Sequence, residues 1–558
     1  MHKNKKRILI VGGVAGGASC AARLRRLCER CEIILFDKGA HVSFANCGLP
    51  YFVGNVIEDE DKLLVATPDL FNHRFNIDVH TDHEVTAIDP KAKTIRVQNL
   101  QDNSSRIEQY DALVLATGSK AIRPPLEGID LPGIYVLRTI PDSHKLRTAA
   151  KNAQRAVIIG GGFIGLEMAE NLANIGLSVT IIEMAKQVMP PLDADMAVYV
   201  EQCLQENEID LKLGNAVESF SLSEKGLAVH CVDGELINTD MVLLAIGVQP
   251  QSQLAKQAGL TLGSREGIKV DERMQTSDPN IWAVGDVIEV MDFVTGQYLT
   301  VPLAGPANRQ GRIAAGAILE AFNPEINRKL KFRGVQGTSV CQVFDHTIAM
   351  TGASEKSLQR ADVTDYQAVY LHPGHHAGYF PGAYPIHLKM LFNQSNGKIL
   401  GVQAVGRKGV ARRVDVFAMA IQMGATIFDL EESELCYAPQ FGAAKDPVNM
   451  AGMIAGNCLR GDLTLADWQR LDDDRHFLLD VRSHAEFTAG HIKGASNIPL
   501  EQLRERVHEL PENKEIWVVC GVGQRAYYAN RLLLQNGHHA RILSGGMQTF
   551  TAQHAIGQ

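Results

Sequence analysis

Val157-Ile158-Ile159-Gly160-Gly161-Gly162-Phe163-Ile164-Gly165, followed by Ser178-Val179-Thr180-Ile181-Ile182-Glu183, decides the fold. The β-branched run predicts a strand, Gly160, Gly162 and Gly165 satisfy G-x-G-x-x-G, and Leu166 and Leu172 carry the apolar spacing of a helix. The next predicted strand ends on Glu183. Such a unit holds a dinucleotide: glycines allow the tight turn and close pyrophosphate approach, the helix N-terminus offers N–H groups, and the acid accepts from ribose hydroxyls. Glu183 favours NADH, and Lys186 leaves NADPH open. The same pattern stands near the start, where a strand over Ile8–Val11 meets Gly12-Gly13-Val14-Ala15-Gly16-Gly17 and a strand over Ile33–Phe36 ends at Asp37. Val14 departs from the glycine rule, but strand, turn, helix and acid keep their order. The internal echo implies two dinucleotides.

The 558-residue chain predicts about three or four domains, and its 45% hydrophobic, 21% charged composition is that of a globular protein. A formal charge of -8 without a basic block argues against nucleic acid or anionic membrane as bulk partners. No apolar run reaches spanning length, and the basic first residues enter the Ile8 strand at once, so neither a membrane helix nor a signal peptide is expected. Ten irregularly spaced cysteines then read as reduced thiols in a cytoplasmic protein. Cys28 and Cys31 form the one close pair, expected at the end of an ordinary helix, with a dithiol or metal role as the alternative.

Two further segments resemble flavoprotein signatures: Leu113-Val-Leu-Ala116-Thr117-Gly118, and Ile281-Trp-Ala-Val-Gly-Asp286, whose aspartate typically meets the ribityl and pyrophosphate region of FAD. They assign FAD to the first glycine loop. With Ser43-Phe-Ala-Asn46-Cys47 and Tyr437-Ala-Pro before Lys445-Asp-Pro, residues 6 to 456 resemble the flavoprotein disulfide reductases, and among them the coenzyme A disulfide reductases. Phe477-Leu-Leu-Asp480-Val-Arg482, Glu486-Phe-x-x-Gly-His-Ile-x-Gly-Ala495 and Ile516-Trp-Val-Val-Cys520-Gly521 resemble rhodanese. The whole chain therefore resembles fusions of the two, which include NADH-dependent persulfide reductases.

That resemblance implies an α/β fold. Two Rossmann-like domains are expected, FAD-binding over 1–118 with 250–329 and NAD(P)H-binding over 119–249, then an α+β dimerisation domain over 330–456 and a rhodanese-like α/β domain over 463–558. Gly12, Gly13, Ala15, Gly16, Gly17, Asp37, Lys38, Ala116, Thr117, Gly118, Asp286 and Ala304 are expected at FAD. Gly160, Gly162, Phe163, Ile164, Gly165, Glu167 and Glu183 are expected around the nicotinamide dinucleotide, with Phe163 covering the flavin until NADH displaces it. Core packing of Phe163 and a plain helix surface for Glu167 are the bland alternatives.

Coenzyme A is the implied substrate or cofactor. Ser19, Arg23 and Arg26 fall at i, i+4 and i+7 on one predicted helical face, where three phosphates would need such a cluster; a solvated charged face is the alternative. By resemblance Ser43, Asn46, Asn308 and Lys445 join them. The family lysine in the Thr67-Pro-Asp segment is replaced by Phe75, with Arg74 beside it. Tyr379 and Tyr437 are expected to approach the substrate sulfur from the other subunit of a homodimer, as is Lys445, and either phenol is a plausible acid for a leaving thiolate.

Cys47 has no thiol partner at the usual spacing, since Val42 stands five residues before it. A single cysteine must form a mixed disulfide or a persulfide with its substrate, and a lowered pKa from a helix N-terminus or flavin contact is expected. Cys520 opens a Cys-x4-Arg loop closed by Arg525, one residue shorter than a phosphatase loop and suited to sulfur. Asp480 and Arg482 read as a structural ion pair, and His375, His376, His538 and His539 as surface groups without metal spacing. A flexible joint over 457–462 would span only ~13 Å, which limits swings of the tail. The function these residues support is NAD(P)H reduction of sulfane sulfur, as coenzyme A persulfide or polysulfide, with Cys520 handling the sulfur. Three alternatives stand: coenzyme A disulfide as the main substrate; an NADH oxidase or peroxidase cycling Cys47 through sulfenic acid, against which Ala15 replaces the usual histidine; and a non-enzymatic redox sensor or persulfide carrier.

Overall fold

The computed structural model describes residues 5–224, 226–326, 328–471 and 475–554. Arg7–Val11 forms strand β1, which turns at Gly12 into helix α1 (Ala15–Leu27) and returns as β2 (Glu32–Phe36) in parallel register with β1. A short helix α2 (Leu49–Val53) and α3 (Pro68–Phe75) precede β3 (Asp78–His80). Thr67 starts α3 because its hydroxyl accepts from Leu70 N–H, and Asn76 ends it in the left-handed region. Ile281–Ala283, Ala112–Leu115, β1, β2 and β3 line up as one parallel sheet. Ile8, Leu9, Ile10, Leu113 and Val114 are fully buried, which is why β1 beyond Arg7 and the strand Ala112–Leu115 are continuously apolar rather than alternating.

A second parallel sheet orders Asp210–Leu213, Ser178–Glu183, Arg155–Ile159, Met241–Leu244 and Ile134–Tyr135. Both expected Rossmann-like units are present. The chain divides into two compact units, Met1–Lys186 with Glu208–Gly337, and Gln187–Asn207 with Thr338–Gln558. Helix Ala194–Glu206, inside the segment expected to bind NAD(P)H, thus groups with the C-terminal unit.

In that C-terminal unit, Ser339–Val343, His346–Gly352, Ile399–Gly406, Ile386–Phe392 and Gln367–Leu371 form an antiparallel sheet. Tyr199 of helix Ala194–Glu206 stacks on His387 of this sheet at 3.9 Å. The tail builds a parallel sheet ordered Ser496–Asn497, His476–Asp480, Glu515–Val519, Ala540–Ile542. Mixed α/β architecture with an antiparallel insert and a parallel tail domain matches the predicted class.

Three expectations are corrected. Helix Pro447–Leu459, capped by Asp446, runs into the supposed flexible joint, so residues 457–459 are helical. His375 and His376 are buried: the His375 carbonyl accepts from the buried Arg413 guanidinium and its N–H donates to the Tyr384 carbonyl, while the His376 ring meets Phe380 edge-on; His538 is half-buried and His539 exposed. Cys28 and Cys31 are joined in a disulfide rather than held as free thiols. Among the described residues no helix is long and apolar enough to cross a membrane.

Candidate active site

The two glycine loops are built alike. Gly13 N–H donates to Asp37 at 2.7 Å, and Gly161 N–H donates to Glu183 at 2.8 Å. The second oxygen of each acid accepts from Gly39 N–H and Ala185 N–H, both at 2.8 Å. Each acid therefore fixes its loop while standing at the strand end where ribose hydroxyls bind. A Cβ on Gly17 would lie 1.9 Å from the Gly12 carbonyl oxygen, and one on Gly165 2.0 Å from that of Gly160. On Gly162 it would meet nothing within 4 Å. Neither α1 nor helix Phe163–Asn174 has a side-chain cap or an acid in its first turn, so their leading N–H groups remain for an anion. This donor set fits two dinucleotide pyrophosphates. Helix Ala304–Phe322 begins in the same way at Ala304. Lys38 Nζ reaches Gln251, whose backbone carbonyl accepts from the Thr117 hydroxyl and whose amide donates to the Thr117 carbonyl, within the Ala116–Gly118 turn.

The contrast between the glycines sets an expected outcome. Gly162→Ala should keep the fold and weaken NADH binding about tenfold or more, because the added methyl occupies ligand space. Gly165→Ala should lose the folded domain. Thermal melts of both variants with NADH titration of the first check this.

Cys47 lies in the short turn Asn46–Gly48 that enters α2, and it is exposed. Ser43, at φ 47°, donates its N–H to the Gly13 carbonyl and accepts from Val65 N–H, both at 2.8 Å. The thiol loop is thereby tied to the first glycine loop. Asn46 donates to the Arg138 carbonyl at 3.1 Å, and the Arg138 guanidinium pairs with Asp286 and donates to the Ser119 hydroxyl at 2.7 Å. That hydroxyl in turn donates to Asp286 at 2.9 Å. Helix α2 packs against helix Phe163–Asn174, which carries Glu167; a Cβ on Gly54 would stand 2.2 Å from Asn171 Oδ1, so the approach needs glycine.

Cys47 keeps an exposed edge, but atoms packed around its sulfur partly desolvate it and push the thiol above its ordinary value; Glu167 and Asp286 add to the shift, and Arg138 opposes it. The expected lowering is therefore absent from the protein alone: the turn ahead of α2 is too short to carry much dipole, and one guanidinium does not offset burial beside two acids. Glu167 itself is raised to about 7, by burial and then by Glu170. Folded protein thus binds this proton more tightly than unfolded chain does. The stability it contributes is complete below the ordinary glutamate value and is lost as pH rises through about 7. Glu167→Gln should flatten that loss and speed Cys47 alkylation at pH 8 by about two- to fivefold. Melts across pH and iodoacetamide kinetics would test it.

Ser19, Arg23 and Arg26 share α1, and the Ser19 hydroxyl donates to the Asn308 carbonyl at 3.3 Å, which brings two expected coenzyme A residues together. Arg23 is lowered by burial and by the like charges of Arg312, Arg26 and Arg328. Nε of Arg23 and of Arg328 are buried without a hydrogen-bond partner. Several guanidiniums facing one another form a place for phosphates. Arg74 is exposed in the last turn of α3, while Phe75 packs on Phe71 with ring centroids 6.2 Å apart.

In the C-terminal unit the Tyr379 and Tyr437 hydroxyls share a 2.6 Å hydrogen bond, and both rings are exposed. Lys445 is exposed beside the buried Asp446. Cys520 directly follows strand Glu515–Val519, is buried, and its sulfur accepts from Gly523 N–H at 3.1 Å. Arg525 forks onto both oxygens of Glu486 at 2.7 Å and holds that carboxyl down to about 2. With its fork taken by Glu486, Arg525 acts on Cys520 through charge. Arg482 grips Asp480 through Nε and Nη2, both residues buried, as a structural pair.

Residues 6–311 match the pyridine nucleotide-disulphide oxidoreductase model. The chain belongs to this family. The oxidoreductase also matches that family's dimerisation domain over 338–446 and a rhodanese-like domain over 467–553. It is 36% identical to coenzyme A disulfide reductase of Staphylococcus epidermidis over 451 residues, 80% of this chain and 99% of that one. Reduced CoADR-RHD of Bacillus anthracis superposes with a TM-score of 0.95 at 45% identity, over 98% of both chains. The NAD-dependent persulfide reductase of A. fulgidus superposes with a TM-score of 0.89 at 35% identity, over 98% of this chain and 100% of that one. Family membership implies FAD and NAD(H).

Sequence reading of this oxidoreductase passed over Arg138, Ser119, Arg312 and Arg328. Ser119 follows Gly118 directly, and a hydroxyl one residue past a turn over a ligand was a usable signal. Arg138 left none, since it meets Asp286 across 148 residues of chain.

Proposed function

We propose that this oxidoreductase reduces sulfane sulfur carried as coenzyme A persulfide or polysulfide, with coenzyme A disulfide as a second substrate, and that Cys47 is the sulfur-attacking group. The observation that carries the reading is the exposed Cys47 on a loop tied through Ser43 to the first glycine loop. The persulfide preference is supported by the rhodanese-like tail and by similarity to a persulfide reductase along nearly the whole chain.

FAD and NAD(P)H, when bound, supply two-electron reduction of the sulfur held at Cys47. Asp37 and Glu183 orient the riboses and the two uncapped helices hold the pyrophosphates. Arg23, Arg26, Ser19, Asn308 and Arg74 hold the phosphates of coenzyme A. Ser43 and Asn46 position the thiol loop. The Cys47 thiolate attacks the outer sulfur of the persulfide; the S–S bond breaks, coenzyme A leaves as thiolate, and Cys47 retains the persulfide. With coenzyme A disulfide the same attack leaves a mixed disulfide. Tyr379 and Tyr437 of the partner subunit protonate the departing thiolate, the second phenol supporting the first through their hydrogen bond, and the partner's Lys445 adds a phosphate contact. The dimerisation domain supports a homodimer of this kind. Cys520 receives or donates sulfane sulfur within its N–H cradle, and coenzyme A carries it between the two thiols.

The test is anaerobic NADH oxidation by FAD-loaded protein with coenzyme A persulfide, polysulfide, glutathione persulfide, coenzyme A disulfide or peroxide, with sulfide release followed. A persulfide or polysulfide as the fastest acceptor is the expected result. Peroxide as the best acceptor would sink the proposal.

A further inference from the structure

The Cys28–Cys31 disulfide lies outside the machinery above, yet it is wired to it. It closes the C-terminal end of α1, with Cys28 as the capping residue and Cα atoms 5.6 Å apart. Cys31 is buried and Cys28 half-buried, so Cys28 presents the reachable sulfur. Between them and the rest of the fold stands Arg25, buried, whose five hydrogen bonds all end on backbone carbonyls. Three are those of Cys28 at 3.1 Å, Glu29 at 2.7 Å and Cys31 at 2.9 Å. Two are those of Phe75 and Asn76, both at 2.7 Å, at the end of α3. One guanidinium thus joins the disulfide loop to both helix ends that carry proposed coenzyme A contacts, Arg26 two residues before Cys28 and Arg74 next to Phe75. A buried cation held only by carbonyls depends on all of them staying in place, because moving one leaves its donors unsatisfied.

We propose that Cys28 and Cys31 form a reversible dithiol–disulfide site that reads the ratio of low-molecular-weight disulfide to thiol and sets the affinity for coenzyme A. The coupling half of this rests on the proposed function. In the reduced form the Cys28 thiolate attacks a disulfide RSSR, expelling one RS⁻ and forming a mixed disulfide. The Cys31 thiolate then attacks the Cys28 sulfur and expels the second RS⁻. Two protein thiols lose two electrons and two protons, and RSSR becomes two RSH; excess thiol reverses the sequence. Cys28 sits at a helix C-terminus, where the dipole disfavours a thiolate, so the pair exchanges slowly beside turnover and registers the standing ratio rather than each catalytic event. Oxidised, the loop holds its carbonyls around Arg25 and fixes Arg26 and Arg74. Reduced, those anchors loosen and phosphate contacts weaken.

The experiment uses full-length FAD-loaded protein carrying Cys47→Ala, so that Cys47 takes up no thiol. It is equilibrated anaerobically with mixtures of coenzyme A disulfide and coenzyme A, and separately with oxidised and reduced glutathione. Alkylation and peptide mass then report Cys28 and Cys31. Loss of two hydrogens without an adduct, at a reproducible disulfide-to-thiol ratio, is expected with both probes; a pair that stays reduced at every ratio, or keeps an adduct, overturns the site. Calorimetry with S-methyl coenzyme A, which cannot exchange, should give at least about fivefold tighter binding to the oxidised than to the reduced form, a coupling of ordinary size. Cys28→Ser should match the reduced form. Equal binding to both forms overturns the coupling. If S-methyl coenzyme A binds neither form, the coenzyme A reading of the proposed function fails instead, and the glutathione arm alone decides whether the pair is a redox site.

Discussion

Cys47→Ala is expected to cut persulfide and coenzyme A disulfide turnover by about 10³-fold or more, because the step it removes is bond-forming and no other group stands in for it. Buried free thiols are poor substitutes. Cys20 and Cys458 are each pushed up by burial to about 12, which leaves roughly one part in 10⁵ as thiolate at neutral pH. Cys436 is exposed beside Tyr437, and Cys436→Ala alone should leave Cys47-dependent turnover in place. Reduction of bound flavin by NADH should survive in Cys47→Ala, since neither glycine loop nor its acid is touched. Stopped-flow flavin absorbance beside sulfide release separates the two half-reactions. Persulfide turnover that persists without Cys47 would remove the thiol from the mechanism.

The second large effect is on stability. Lys389 has a fully buried side chain, and its ammonium meets Asp193 at 3.1 Å, Asp195 at 2.9 Å and Glu355 at 3.1 Å. Gln403 donates to Asp193 at 2.7 Å, and the Tyr370 hydroxyl donates to Asp195. Burial works against the Lys389 charge, but the surrounding acids outweigh it and hold the ammonium well above its ordinary range. Lys389→Met leaves those acids facing one another without a cation, and a loss of roughly 3–5 kcal/mol is expected for breaking such a cluster from one side. Glu355, already raised by burial against the pull of Lys389, would take up a proton first. The variant should therefore recover stability as pH falls, and Glu355→Gln in the same chain should restore part of it at neutral pH. Urea unfolding at several pH values measures both. A variant as stable as the parent at neutral pH would show that the cluster contributes nothing net.

Both glycine loops and both terminal acids were legible in the sequence because each answers a local requirement. Gly165 must clear the Gly160 carbonyl five residues away, and Asp37 and Glu183 stand where a strand hands over to a turn with N–H groups to satisfy. Cys47, Cys520 and the Asp480–Arg482 pair sit in equally compact motifs. What escaped is long-range. Arg138 gains meaning only through Asp286, Lys389 chiefly through Asp193 and Asp195 nearly two hundred residues earlier, and Arg312 only because α1 and helix Ala304–Phe322 pack together. The buried place of His375 is tied likewise to Arg413, 38 residues further on. Charge on a single sequence reads as surface, and only the pairing partner reveals that it is interior.

Helix Ala194–Glu206 grouping with the C-terminal unit makes the chain cross between its two compact units three times, at residues 186/187, 207/208 and 337/338. Segments along this gene are therefore not interchangeable cassettes. A chimera that swaps residues 119–249 for those of a relative exchanges Asp193 and Asp195 as well, and so replaces two of the anions around the recipient's Lys389. Transplants cut instead so that 187–207 travels with 338–558 keep that lysine among its native counterions, and they are the recombinants most apt to yield folded protein.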